Sequence, residues 1–307
     1  MNDTATLPRP ADPAESRRET AADLFRCVTL NTHRGSGPDI ECLTRTSEPE
    51  ESRRLAPLHD TDAYTYWIAE WLQRNKDRYD AVGLQEVFGG VFGFVRSKFT
   101  QDDYYRVLSG YQTTLSHPIG LAGFRYANVL LCRESALAGR EIHARLPGRV
   151  LLLAACGFTL APIEHRGRTV WIGNTHLHAY DPRKRERQAA AIAAEVEALG
   201  DVPVVFLGDL NTTPPGCRDR DFPSGDRDRY SYREDATLRI LARAGLRAVP
   251  HDDAPEYHTY PTGDRNRTLD YVLFSRHWQV EEYRAIHDVK LSDHYPVEAA
   301  LRLRDRD

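Results

Sequence analysis

Leu207-Gly208-Asp209-Leu210-Asn211 ends an apolar run, 202–206, with a carboxylate and an amide two positions apart. Residues two apart in an extended chain project to one side, so Asp209 and Asn211 address one site. A carboxylate there can orient a water or bind a metal, and a neutral amide can donate to a developing oxyanion. The competing reading is an Asx turn that closes a strand. Ser292-Asp293-His294-Tyr295-Pro296 sets a hard metal ligand beside a proton-handling imidazole, or else is a polar turn before a Pro-started strand. Thr268-Leu269-Asp270-Tyr271-Val272-Leu273-Phe274 holds a carboxylate among apolar neighbours, which is costly to bury without a partner. His294 is the candidate partner, since an Asp fixes the tautomer of a His and raises its basicity. Otherwise Asp270 marks the exposed face of an edge strand. Glu86 follows Ala81-Val82-Gly83-Leu84-Gln85, as a metal-binding carboxylate at a strand end would. Gly173-Asn174-Thr175-His176-Leu177-His178 and Leu30-Asn31-Thr32-His33-Arg34-Gly35 are further polar strand ends, each uninformative alone.

These residues need elements to carry them. A strand pattern covers 24–30, and further strands are expected at 81–85, 126–133, 168–174, 203–208, 268–274 and 296–303. Tyr64, Trp67, Ile68, Trp71 and Leu72 recur at helical spacing, which predicts a helix over roughly 61–77. Ala189, Ile192, Ala193, Val196 and Leu199 put a second helix at 185–199, and a third near 235–244 ends at Gly245. Strands interleaved with helices indicate an α/β or mixed layered fold. Residues 36–59 read as loop, and the Asp- and Arg-dense 218–235 as a surface insertion. Residues 1–22 read as a flexible tail, leaving 23–307 as a single domain with no repeat or linker.

Composition limits the function classes. The 307 residues carry 41 Lys+Arg against 45 Asp+Glu, a net charge of −4, which argues against a surface that coats nucleic acid. Only Lys76, Lys98, Lys184 and Lys290 are lysines, so the positive charge is mostly Arg. Five cysteines at wide spacings, with no C-x-x-C, exclude a disulfide framework and a zinc knuckle. The first 22 residues lack an apolar core of a signal peptide, and the longest apolar run, 150–161, is too short to span a bilayer. A cytoplasmic protein is the expectation.

Six motifs follow in order: L-N-x-H-x-G, L-Q-E-V, T-H-L, G-D-L-N, L-D-Y-V and S-D-H-Y-P. Together they resemble the endonuclease/exonuclease/phosphatase superfamily, the deoxyribonuclease-I-like fold, from about residue 24 to 303. Gln85-Glu86-Val87-Phe88, the run 173–179 with Arg185 and Gln188 downstream, and Ser292-Asp293-His294-Tyr295-Pro296-Val297-Glu298-Ala299 look most like its neutral-sphingomyelinase branch. The resemblance implies a four-layer α/β sandwich, two packed mixed β-sheets flanked by helices. It implies a hydrolase that cleaves a phosphate ester by in-line attack of water, with Mg²⁺ (or Mn²⁺ as a substitute) held by Glu86, Asn31 and Asp293. Asp209 would orient or deprotonate the water, and Asn211 would stabilise the pentacovalent phosphorus. His294, held by Asp270, would contact the scissile phosphate, and His176 would neutralise charge or assist the leaving oxygen. His33, Arg34, Arg125 and His178 are the candidate substrate contacts. The substrate expected is a lipid or small-molecule phosphate; the alternatives are a nuclease and a non-catalytic binding module of the same fold. The stretches 88–111 and 218–235 are expected to flank the entrance and set specificity. His176-Leu177-His178-Ala179-Tyr180-Asp181 approaches the H-x-H-x-D-H motif of dinuclear zinc hydrolases, but the Asp is one place late and Pro182 replaces the last His. Zinc-ligand geometry does not tolerate that shift.

Overall fold

The computed structural model describes residues 23–38, 61–88, 101–111, 113–119, 126–133, 138–149, 155–215, 235–250 and 252–305. Two six-stranded sheets dominate them. The first runs β11 (Trp278–Ala285), β12 (Val297–Leu303), β1 (Leu24–Asn31), β2 (Ala81–Phe88), β4 (Tyr126–Cys132), β3 (Thr113–Ile119). The second runs β5 (Ile142–Arg149), β6 (Ala155–His165), β7 (Arg168–His176), β8 (Val204–Asp209), β10 (Asp270–Phe274), β9 (Arg247–Val249). Each is mixed: β1 pairs β2 and β7 pairs β8 in parallel, and the remaining pairs are antiparallel.

Alternation along the strands builds the layers. In β1, Phe25 and Cys27 enter the core between the sheets, with Val205, Leu207, Val272 and Trp278. Val28 and Leu30 face the other way, onto Ile68 and Leu72 of α1 (Thr61–Arg74) and Tyr105 of α2 (Gln101–Leu108). Both faces are covered, so the strand reads as continuously apolar. On the far side, Phe206, Tyr271 and Leu273 pack under Ile192 and Val196 of α3 (Pro182–Ala198) and Leu241 of α4 (Thr237–Arg243). The result is the expected four-layer α/β sandwich.

Element limits differ from the periodicity for local reasons. The first helix stops at Arg74, and 75–78 turn. The second starts at Pro182, three residues before its apolar face, because the Asp181 side chain caps it by accepting from the Arg183 and Lys184 backbone N–H groups. Gly245 ends α4 as expected: at φ +83° it lets Leu246 N–H reach Leu241 O at 3.0 Å. Strands β7 and β8 run one or two residues further than the apolar runs, to His176 and Asp209, which pair with each other. Strand β10 begins later, at Asp270, opposite Asp209. The tail 1–22, most of the 218–235 insertion, residues 89–100 and Arg125 lie outside the described residues.

A polar network crosses the core beneath the strand ends. Asn174 of β7 donates to Leu84 O at 3.0 Å and Val129 O at 2.8 Å in the opposite sheet. Gln85 Nε2 donates to Asn174 Oδ1 at 2.7 Å and Thr29 Oγ1 at 2.9 Å. Gly83 leaves the room for it, since a Cβ there would lie 2.8 Å from Asn174 Oδ1. Asn174 thus sets the register between sheets. Replacing it with Leu would strand two carbonyls and one amide in the core; urea unfolding should show a loss of about 2–4 kcal/mol.

Candidate active site

The two parallel strand pairs end at the same edge of the sandwich, and the polar residues singled out from sequence gather there. Asp209, at 1% exposure, is the centre. It accepts from Asn31 Nδ2 at 2.9 Å through Oδ2 and from the Asn211 backbone N–H at 2.9 Å through Oδ1. His176 Nε2 lies 3.4 Å, and His294 Nε2 3.9 Å, from the same Oδ2. His294 Nδ1 meets Asp270 Oδ2 at 2.8 Å, so the acidic residue in the apolar strand has the partner expected of it.

On the other side of Asp209, Asn31 Nδ2 also reaches Glu86 Oε1 at 3.3 Å, and Asn31 Oδ1 accepts from the His33 backbone N–H at 3.0 Å. Glu86 lies 3.6 Å from Arg34 Nε, and His33 Nδ1 lies 3.5 Å from Asp293 Oδ1. Two residues re-aim their side chains through left-handed backbone. Glu86, at φ +52°, sits where the β2–β4 register shifts between Leu84 and Val87. Asn211, at φ +49°, turns back so that its Nδ2 reaches Leu177 O at 3.1 Å and His176 Nε2 at 2.8 Å. With the amide donating, Nε2 of His176 is the acceptor in this contact. Such strained conformations are concentrated at functional sites.

The charges explain the protonation states. Burial would depress the His294 imidazole, but Asp270, through charge and hydrogen bond, together with Asp209 and Asp293, pushes it up to about 10. Burial alone would raise the Glu86 carboxyl, yet the charges of His176, Arg34 and His33 and the Asn31 hydrogen bond hold it below its ordinary value. Burial raises Asp293, against the pull of His294 and His33. The site therefore holds a protonated His294 beside the Asp209 carboxyl, with Glu86 ionised.

Of the candidate positions, Asn31, His33, Arg34, Glu86, His176, Asp209, Asn211, Asp270, Asp293 and His294 come together. His178 does not join them by its Nδ1. That atom accepts from Tyr180 N–H at 3.2 Å and Asp181 N–H at 3.1 Å, and the residue is 3% exposed. Two further residues support the site. Tyr260 stacks on His294 at 4.8 Å between ring centroids. Thr259 Oγ1 accepts from the Leu269 and Asp270 N–H groups at 3.0 and 3.3 Å. The polar run His258-Thr259-Tyr260-Pro261-Thr262 was their only sign in the sequence.

The model of the Endonuclease/Exonuclease/phosphatase family matches residues 52–294, well over half of the chain. The chain belongs to this family. Its members and structural neighbours are hydrolases of phosphoester bonds. An endonuclease/exonuclease/phosphatase from Beutenbergia cavernae DSM 12333 superposes with a TM-score of 0.66 at 20% identity, over 92% of this chain and 72% of that one. The human Nocturnin catalytic domain with bound sulfate gives 0.55 at 16% identity, covering 92% and 95%. ANGEL2, a 2′,3′-cyclic phosphatase in complex with adenosine-2′,3′-vanadate, gives 0.59 at 16%, covering 92% and 96%. No curated protein sequence matches the chain. At these identities the superpositions establish the deoxyribonuclease-I-like fold. Among the described residues no helix is long and apolar enough to cross a membrane.

The Asp270–His294 pair predicts a pH dependence. The folded chain holds the His294 proton more tightly than an unfolded chain of pKa 6.5 does. The stability it contributes is full below about pH 6.5 and is lost as pH rises through about 10. In EDTA, melting curves of the wild type should fall toward those of His294→Gln across that window. Parallel curves from pH 6 to 10 would refute the pairing.

Proposed function

We propose that this chain is a divalent-cation-dependent phosphoesterase in which a water attacks phosphorus in line with the departing ester oxygen. The observation that carries the reading is the Asp270–His294 bond of 2.8 Å aimed at Asp209, which is itself within 3.4 Å of His176. One buried carboxylate is thereby flanked by two imidazoles.

The donor set fits a hard cation. Glu86 and Asp293 have only long contacts to positive groups, 3.6 Å to Arg34 and 3.5 Å to His33. The donor atoms of Asp209, Asp270 and His294 also lie within 4.8 Å of one another. Asp270 and His294 already satisfy each other, so we assign the cation to Glu86 and Asp293, with Asn31 beside them. Mg²⁺ is the ion that such carboxylate oxygens suit, with Mn²⁺ as a substitute; the Asn31 amide oxygen, which here accepts from the His33 N–H, would turn toward the ion to join them. When bound, it supplies Lewis-acid charge that offsets the negative charge growing on the phosphoryl oxygens.

The chain's own groups do the rest. Asp209 orients the water and takes its proton as the new P–O bond forms. Asn211 would donate to an equatorial oxygen of the pentacovalent centre with the N–H that otherwise meets His176 Nε2, its other N–H staying on Leu177 O. His294, protonated and held by Asp270, faces the phosphate and neutralises it. As the ester P–O bond breaks, His176 in its protonated form would release Asn211 and give its Nε2 proton to the departing oxygen. His33 and Arg34 stand where they can contact the substrate phosphate.

For the substrate, the motif likeness to the neutral-sphingomyelinase branch puts a lipid or small-molecule phosphodiester first. The nucleotide reading is second, and the adenosine-2′,3′-vanadate bound to ANGEL2 favours it. A phosphate-ester panel separates them: bis-p-nitrophenyl phosphate, p-nitrophenyl phosphate, sphingomyelin vesicles, 2′,3′-cyclic AMP and plasmid DNA, each with Mg²⁺ and with EDTA. Turnover should need Mg²⁺, and Asp209→Ala and His294→Ala should each lower kcat by about 10²–10⁴. Turnover that survives both substitutions, or persists in EDTA, would overturn the assignment. Glu86→Gln should raise the Mg²⁺ concentration for half-maximal binding by at least about 10-fold, read by calorimetry without substrate.

A further inference from the structure

Residues Leu177 to Asp181 lead from the site into α3, and their polar groups are committed in a way the proposed chemistry does not by itself require. Leu177 N–H donates to Asp209 O at 3.0 Å, and Leu177 O accepts from Asn211 Nδ2 at 3.1 Å. His178 N–H donates to Gln188 Oε1 at 2.8 Å. The His178 and Ala179 carbonyls both accept from Arg185 Nη1 at 3.0 Å. The Tyr180 and Asp181 N–H groups donate to His178 Nδ1. A segment paired at every one of these groups has little freedom to settle elsewhere.

Arg185 is the charged member of this set, and it has no exposed surface. Its Nε donates to Asp235 Oδ2 at 2.7 Å, and the Asp235 side chain is 3% exposed. Two charges out of water require each other; either one left alone would be heavily disfavoured. Asp235 Oδ1 in turn accepts from Thr237 N–H at 2.8 Å, and Ala236 N–H donates to Glu186 Oε1 at 2.9 Å. The far end of the 218–235 insertion is therefore bound to the same helix turn that grips the His178 and Ala179 carbonyls.

We propose that Arg185 is a positioning residue for the site. Locked by Asp235, its guanidinium fixes the Leu177–Ala179 backbone, and with it the place where His176 and Asn211 meet. It touches no reacting atom; it acts through Asn211, whose amide is shared between Leu177 O and His176 Nε2. This inference rests on the hydrolase reading above for its effect on rate, but not for its effect on His176.

The test compares Arg185→Met, Arg185→Lys and Asp235→Asn with the wild type. Glu298→Gln is the control, because Glu298 of β12, in the other sheet, is buried and accepts from the half-exposed Arg78 and from the Tyr79 hydroxyl. Misplacing groups by a fraction of an ångström costs rate steeply, so Arg185→Met should lose at least about 30-fold in kcat. Its KM and its Mg²⁺ affinity by calorimetry should stay within about threefold, since Glu86 and Asp293 are untouched. Arg185→Lys keeps the charge but not the fork, and should recover only part of the rate. The imidazole NMR signals of His176 should shift in all three variants and stay in place in Glu298→Gln, whatever its melting temperature. Unchanged His176 signals with wild-type kcat in any folded Arg185 or Asp235 variant would overturn the proposal. So would a rate loss matched by Glu298→Gln at equal loss of stability. Should Arg185→Met fail to fold, Arg185→Lys and Asp235→Asn decide. A wild type without turnover on the ester panel would instead overturn the hydrolase reading, and the His176 signals would still test the positioning.

Discussion

Asp209 is an acidic side chain with almost no access to water, and the rest of the site is arranged around that fact. A carboxylate in such a place is strongly disfavoured unless donors and positive charge surround it. Asn31 and the Asn211 N–H supply the donors, and His294 and His176 stand within 4 Å. Each of those partners needs its own support. Asp270 holds His294, Thr259 holds the Asp270 backbone, and Asn211 needs a left-handed turn to face His176. The demand of one buried carboxyl group thus spreads through four strand ends and three loops.

The sandwich meets that demand by topology. Strands β7, β8 and β10 are neighbours, so His176, Asp209 and Asp270 lie in register across one sheet. Asn31 and Glu86 come from β1 and β2 of the other sheet, whose ends lie beside them. The Asn174–Gln85 network joins the two sheets one step below the site. A shift between the sheets would break those bonds before it could separate Asn31 from Asp209. Rigidity at the site is thus inherited from hydrogen bonds in the core, where polar pairing is costly to leave unmet.

Much of this was legible in the sequence because of contrast. A polar residue that interrupts or ends an apolar run is conspicuous, and Asp209, Asn211, Asp270, Glu86 and His294 all stand out that way. The partnership of Asp270 and His294 followed from the penalty of burying a lone carboxylate. Less legible were residues whose role depends on what lies across a gap. Asn174 and Gln85 read as ordinary strand residues until the second sheet is laid on the first. Tyr260 sits in a loop with no periodicity to place it. His178 read as a candidate substrate contact, and its Nδ1 ties down the two N–H groups that lead into Asp181 and the start of α3. The edge strands β5, β9 and β11 carry too little apolar pattern to announce themselves, since one side of an edge has no neighbour to bury.

Charge balance is the strongest argument that the site works with a cation. Glu86, Asp209, Asp270 and Asp293 bring four carboxylates to one end of the sandwich. His294 offsets Asp270, and Arg34 lies 3.6 Å from Glu86 with its side chain 45% exposed to screening solvent. A phosphate ester entering this cluster would carry at least one more negative charge into a region already negative. Net charge of the whole chain does not decide this, because the field at a cleft is set by its lining. In the proposed reading, a divalent cation held by Glu86 and Asp293 would reverse the local sign, and the carboxylates that would otherwise repel a phosphate would become the reason it binds.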